Sequence, residues 1–552
     1  MKTRVFVRFT ALLCLCFMFF FSSCGGGTDN NNSTGMETTV QEKGIDEGDI
    51  VKAYDGYIYK AQSDGVSVVK YDGPELTFVS GINISEVTPR ELFVCGDKLA
   101  LIASCGPYDM ATAVFVLSLD ENKIISHTPL YSAVFPADYV SSRLFKETGK
   151  LYVFTRGENL PAQTDIGHTY TENGEEKEAP YEDLDVDGYK TDAMKTNGYR
   201  SAPSYFLKID LDDMRSTVTS YGNCYFYDVY VTENYVYGIF ALCAYNSLTN
   251  KNNSCFILRT DAETLAENKL SALKDNEIGS RLSLKEHGEV LYAVSKNLVG
   301  GWCAVTSFDG DMNKISSLEN IATGETLKSV TFVKTETSLS CYIVTYRNKD
   351  PLFKIDVTDP ENMAVTGELS VPGYSTLSHA FAGDLLVTVG YGGDEEKADT
   401  KTLKISLYHT GDEPTEISVY TIENLVSCEA LDNIHAFCVD DERKIFAFSV
   451  KQRKDGTTRQ GAYIFALDVN ENAEDSEIKP LAYVTNFPNG YGSENWSVTY
   501  RFISRLLIDD EYAYSVSDAY VKSYSVADIE SGSAEPLRSV FTGLGGLEEI
   551  TL

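Results

Sequence analysis

The chain has 552 residues, a formal net charge of −34, 35 Tyr and 27 Phe. So acidic a surface excludes binding to nucleic acid or to anionic lipid through the folded surface. Length alone suggests several domains, but a repeat architecture extends one body with each added unit.

The first residues read as an export signal. Lys2, Arg4 and Arg8 precede the apolar run Phe9 to Phe21, and Ser22-Ser23 lead into Cys24. Positive start, short apolar stretch and small-residue cleavage site are the parts of a secretory signal. The run is shorter than the roughly 20 residues that span a bilayer. The order resembles a bacterial lipobox, with Phe21 in place of the usual Leu, so Cys24 is expected to carry lipid. The expected division is a signal at 1–23, a lipidated Cys and flexible tether at 24–37, and a folded domain at 38–552. Gly25-Gly26-Gly27 and the polar run after them suit a tether.

Beyond residue 40 the chain lacks long helical periodicity, and its aromatic and β-branched richness suits strands. A strand that ends in an acidic turn recurs at Val69-Lys70-Tyr71-Asp72, Phe206 to Asp210, Ile257 to Asp261, Val305 to Asp309, Phe353 to Asp356 and Ile464 to Asp468. Weaker copies lie near Ser118, His409 and Ser525. An Asp there can accept a hydrogen bond from backbone two residues on, which stops one strand and begins the next. Before each copy lies a hairpin, such as Leu92 to Leu101, Asp228 to Tyr237 and Leu507 to Tyr514. Each unit therefore reads as four antiparallel strands, and four-stranded repeats with periods of roughly 40 to 50 residues mean propeller blades, successive copies here lying about 46 to 59 residues apart except for one longer gap after Ser118. The expected fold is all-β: one large β-propeller of eight or nine four-stranded blades.

Certain stretches carry a family likeness. Thr39-Val40-Gln41, Gly44-Ile45-Asp46-Glu47 and Asp49-Ile50-Val51-Lys52 form one. Tyr346 to Asp356 with Asp359-Pro360 and Gly367 to Ser375 form another, and Gly461 to Phe465 a third. Together they resemble secreted bacterial proteins with a C-terminal β-propeller domain, distantly related to WD40 repeats. Two departures are Thr39 where that family tends to have Asn, and a shifted Asp55-Gly56. The resemblance implies fold and location; the family brings no assigned activity with it.

Four units open alike, at Pro89-Arg90-Glu91-Leu92, Ser142-Arg143-Leu144, Ser280-Arg281-Leu282 and Ser504-Arg505-Leu506. The first strand of a blade lines the channel, so Arg90, Arg143, Arg281 and Arg505 are candidates to bind an anionic group at its mouth. The competing expectation is salt bridging between blades. His379, near the start of the seventh unit, is the candidate channel histidine, against a satisfied core position. Ala162 to Ser201, Gly390 to Thr400 and Lys451 to Gln460 read as long loops on the same face, hence a binding face.

Asp183-Leu184-Asp185-Val186-Asp187-Gly188 is the first half of a calcium loop. Met194 stands where an EF-hand has Glu, and Asp192 could serve instead. Ca²⁺ is thus a possible cofactor, against a solvated acidic loop. The nine cysteines after Cys24 lack C-x-x-C spacing, which counts against zinc. Register pairs Cys428 with Cys438 and Cys243 with Cys255, against burial as free thiols.

None of the six histidines forms H-E-x-x-H, and there is no G-x-S-x-G or P-loop. These absences weigh against an enzyme. The expected function is that of an exported, lipid-anchored binding or scaffold module at the cell envelope. Its partners are the membrane, through the anchor, and a protein, peptide or glycan. The rival expectation is a hydrolase or lyase with arginine and carboxylate groups in the channel mouth.

Overall fold

A computed structural model describes residues 24–25 and 35–551, apart from 107–108, 158–166, 190–201, 223, 243–253, 336, 347–349, 372, 382–383, 394–397, 412–413, 455, 471, 488–495 and 545–548. The repeat units become nine four-stranded antiparallel sheets arranged as blades. Their inner strands begin at Val51, Val87, Asp138, Tyr225, Leu284, Thr326, Tyr374, Phe437 and Arg505. This settles the blade number at nine.

The acidic turns end the third strands as their sequence suggests. Asp210, Asp309 and Asp356 each accept a hydrogen bond from the backbone N–H two residues on, at 2.9–3.0 Å. Asp261 accepts from Thr264 N at 2.8 Å. These caps satisfy backbone donors where the ladder stops.

Alternating side chains of each sheet pack against both neighbouring blades. Nine apolar clusters result among the described residues, one for each boundary of a closed ring. Tyr59 and Val68 of the first blade meet Leu101 and Phe115 of the second. At the seam, Ile58 and Val69 meet Tyr514 and Val521 of the ninth. Among the described residues no blade takes its four strands from both ends of the chain. Instead, Glu549–Thr551 crosses from the ninth blade and lies parallel to Asn83–Ser85, on the outer strand of the first.

Two blades depart from regularity at the channel. In the fifth, Asn276–Glu277 and Leu284–His287 are separated by a 3-10 turn at Arg281–Ser283. In the eighth, Leu425–Ser427 and Phe437–Asp440 are separated by 3-10 turns at Glu429–Leu431 and Ile434–Ala436.

The structure corrects the cysteine pairing. Cys428 and Cys438 are free thiols, both buried. The residues between them form two 3-10 turns, so the thiols do not face across a hairpin. Cys428 joins the core between blades seven and eight. Cys438 Sγ contacts Gly35 O at 3.3 Å. Cys255 is free as well, and Cys243 lies outside the described residues.

Two of the long loops are also corrected. Gly390 to Thr400 and Lys451 to Gln460 belong mainly to extended second and third strands. These are Leu385–Gly393 with Ala398–His409, and Ile445–Lys454 with Thr457–Asp468. Within Ala162 to Ser201, Thr169–Glu172 and Glu175–Glu178 form a hairpin on the outer edge of the second blade. Tyr181–Asp183 adds parallel to the outer strand of the third. The alternation of polar and apolar residues fits strand as well as loop, which is why composition alone reads them as loops.

Candidate functional site

The segment that opens the folded domain fills the channel. Gly35 O accepts from Ile508 N of the ninth blade. Thr39 Oγ1 donates to Phe437 O of the eighth at 2.7 Å. Gln41 Nε2 donates to Arg281 O and Leu284 O of the fifth, each at 3.0 Å. Glu42 accepts from Lys285 Nζ and from Tyr230 OH of the fourth blade. Ile45–Glu47 then pairs antiparallel with the inner strand of the third blade, with Glu47 opposite Arg143. Asp49 bridges Leu92 of the second, and the chain enters the first blade at Val51.

An inner strand has one unpaired edge, facing the channel, so an extended segment can add to it. The passage is narrow. A Cβ on Gly48 would lie 1.9 Å from Glu91 Oε2 and 2.7 Å from Ser142 Oγ. A side chain there would have to displace the ends of the Glu91 and Ser142 side chains.

Two carboxylates of this segment meet the arginines. Glu47 is 2 % exposed. Its carboxylate pairs with Arg281 and with His435 Nε2 at 3.0 Å, and lies 3.7 Å from Arg143 Nη2. Asp49 accepts from Arg505 Nε and Nη2 at 2.9 and 2.7 Å. Burial alone would raise both carboxyl pKa values. Arg143 and Arg281 outweigh it at Glu47, which is held well below the ordinary range, and Arg505 outweighs it at Asp49. The 3-10 turns of blades five and eight are what carry Arg281 and His435 towards Glu47.

The structure thus brings three of the four arginines named from sequence to one centre, where their anion belongs to the same chain. Arg90 stands apart, at a bulge in the second blade. It is half exposed, donates to Ser104 Oγ at 2.7 Å and lies 3.5 Å from Asp109. His379 lies between blades seven and eight, 2.8 Å from Asp441 and against Phe381 and Phe437. Sequence reasoning missed His435, Glu47 and Asp49. The signal for the two carboxylates was the motif Gly44 to Lys52, read as a family mark and not as a ligand for the arginines.

The acidic insertion lies on the outer flank. Asp183 and Asp185 are exposed and line a groove of about 510 Å³ with Glu182, Tyr189, Asn268 and Leu270. Asp187 starts a 3-10 turn, and Asp192 lies outside the described residues. Among the described residues no three His, Cys, Asp or Glu side chains gather closely enough to hold a metal. Cys24 lies in a two-residue strand parallel to Leu377–Ser378.

The Beta propeller domain profile matches residues 36–529. The chain belongs to that family. The match begins at the channel segment and runs into the ninth blade, so the segment is part of the Beta propeller domain and not a leader to it. An uncharacterised protein of Methanocaldococcus jannaschii is 34% identical over 187 residues, covering 33% of this chain and 27% of its own length. The chain thus spans little more than a quarter of that relative. An uncharacterised protein of Archaeoglobus fulgidus is 24% identical over 500 residues, covering 74% of each chain. The crystal structure of Kluyvelomyces marxianus Hsv2 overlaps 70% of this chain and 93% of its own at 9% identity. The TM-score is 0.31. A β-propeller is in general a binding or scaffold module.

Proposed function

We propose that this propeller is an exported, lipid-anchored module that binds a protein, peptide or glycan across the face where the second and third strands of each blade join. The observation that carries this reading is the way the channel is filled. Arg143, Arg281 and Arg505 are engaged by Glu47 and Asp49, which leaves the extended hairpins as the reach of the molecule. The hairpin with its turn between Lys454 and Thr457 is basic at Lys451, Arg453, Lys454 and Arg459, on a chain of net charge −34. The same engagement disfavours a hydrolase or lyase built on those arginines.

The anchor is the second half of the proposal. Lipid on Cys24 would replace its short pairing with the seventh blade, and the glycine-rich sequence after it would tether the body to the membrane of the cell envelope. Replacing Cys24 with Ala tests it: the protein should leave the membrane fraction, and retention there would count against lipidation.

The binding face is tested by screening the mature chain on peptide and glycan arrays beside a variant with Arg453, Lys454 and Arg459 changed to Ser. A ligand captured by the first and lost by the second supports the proposal. A ligand bound equally by both places recognition elsewhere.

A further inference from the structure

Between blades eight and nine lies a cluster made of donors. Lys522 stands opposite Ser515 in the ninth blade, so their side chains share a face of the sheet. Ser515 Oγ donates to Asn486 Oδ1 at 3.3 Å. Asn486 is 3 % exposed, yet among the described residues its Nδ2 has no hydrogen-bond partner. Arg501 precedes the inner strand of this blade and is held there by Ala519 N donating to Tyr500 O. Its Nε is buried and, among the described residues, also without a partner. Its guanidinium carbon lies 5.6 Å from the ring centre of Tyr520 and 5.7 Å from that of Tyr500.

Tyr520 and Lys522, two apart on one strand, share that face, so Arg501 beside the Tyr520 ring lies on the same side as Lys522, and among the described residues neither cation has a carboxylate partner. Burial, then the charge of Arg501, lowers the Lys522 ammonium below its ordinary pKa. Lys451 lies in the same region, its ammonium 5.4 Å over the Phe502 ring. On a chain with 81 acidic and 47 basic residues, basic groups without an acidic neighbour are a departure from the average surface. Two like charges beside an unused buried amide donor cost stability, and an anion that accepts from all three would recover it.

We propose that Arg501, Lys522 and Asn486 form a binding site for a tetrahedral oxyanion, the phosphate or sulfate group of an ester. Arg501 supplies a planar fork, Lys522 a point charge and Asn486 a neutral donor that fixes orientation. Tyr500, 40 % exposed, forms a rim on which the body carrying the group can rest. All three donors lie near the ends of strands where the eighth blade passes to the ninth and the second strand of the ninth turns into the third. That is the face of the extended hairpins, but the site does not depend on them.

The test uses the full mature chain with inorganic phosphate and sulfate at constant ionic strength. Either ion should raise Tm saturably and give a calorimetric isotherm. R501Q and K522Q should each weaken binding about tenfold or more, as expected for the loss of one charged hydrogen bond. A preference for one ion distinguishes a phosphate from a sulfate ester. In anion-free buffer K522M should melt at or above the wild-type temperature and no longer respond to the ion. A response unchanged in R501Q and K522Q, no saturable response at all, or a lower melting temperature for K522M without anion would each overturn the proposal.

Discussion

The channel centre and the boundary between blades eight and nine both gather cations, almost wholly buried in the first and partly buried in the second, and they resolve the problem differently. In the channel, Glu47 and Asp49 come from the segment that precedes the first blade and answer Arg143, Arg281 and Arg505. At the boundary, Arg501 and Lys522 repel one another beside an idle amide donor. A charge paired within the chain ties blades together. A charge left unpaired holds open a place for something else. The same residue types therefore do structural work at one site and suit a ligand at the other.

The largest test of this contrast is E47Q. It leaves two guanidinium groups and His435 facing a neutral amide, and breaking such a buried pair costs about 3–5 kcal/mol. Urea denaturation should show that loss, whereas K522M should show none; equal effects would erase the distinction. D49N should follow, smaller than E47Q because one arginine is orphaned and not two.

Acid comes next. Glu47 and Asp49 have folded pKa values below their unfolded ones, near about 4. Their contribution is complete above that unfolded range and is lost as pH falls through the folded values. Wild type should lose more stability between about pH 5 and pH 2 than the E47Q/D49N double variant, when both are followed by thermal melts. Parallel curves would mean that neither carboxylate is ionised in the folded channel.

The smallest effect concerns thiols. Burial pushes Cys303, Cys428 and Cys438 up to about 12. A thiol reagent should label the less buried Cys95 and Cys105 first and reach those three only on unfolding. Reductant should leave Tm unchanged, and a drop would restore the Cys428–Cys438 pairing.

Local periodicity made the blades legible, because hairpins and their acidic turns are short-range features with short-range causes. Even the arginine openings of units were visible, since each sits at a strand start. Their partners were not. Asp49 meets Arg505 across 456 positions, and Glu47 meets His435 across 388. No local pattern encodes such a contact, so Gly44 to Lys52 read as a signature without a task. The 3-10 turns at Glu429–Leu431 and Ile434–Ala436 were hidden for the opposite reason. They interrupt a strand through tertiary packing that local alternation does not report, and the symmetric placement of Cys428 and Cys438 around them then misled.

The filled channel also sets an order in time. Residues 35–50 are made before every blade that holds them, and some of those groups arrive only with the fifth, eighth and ninth blades, Arg505 lying 456 positions beyond Asp49. Until Arg505 emerges, Asp49 has nowhere to dock. Early blades can form sheets as they appear, but their central bolt cannot be thrown until the ninth blade is present. Contacts that span so much chain slow the final step of folding. A chain cut off before its ninth blade should be left with a loose leading segment and an open ring, easily recognised by proteases as unfinished.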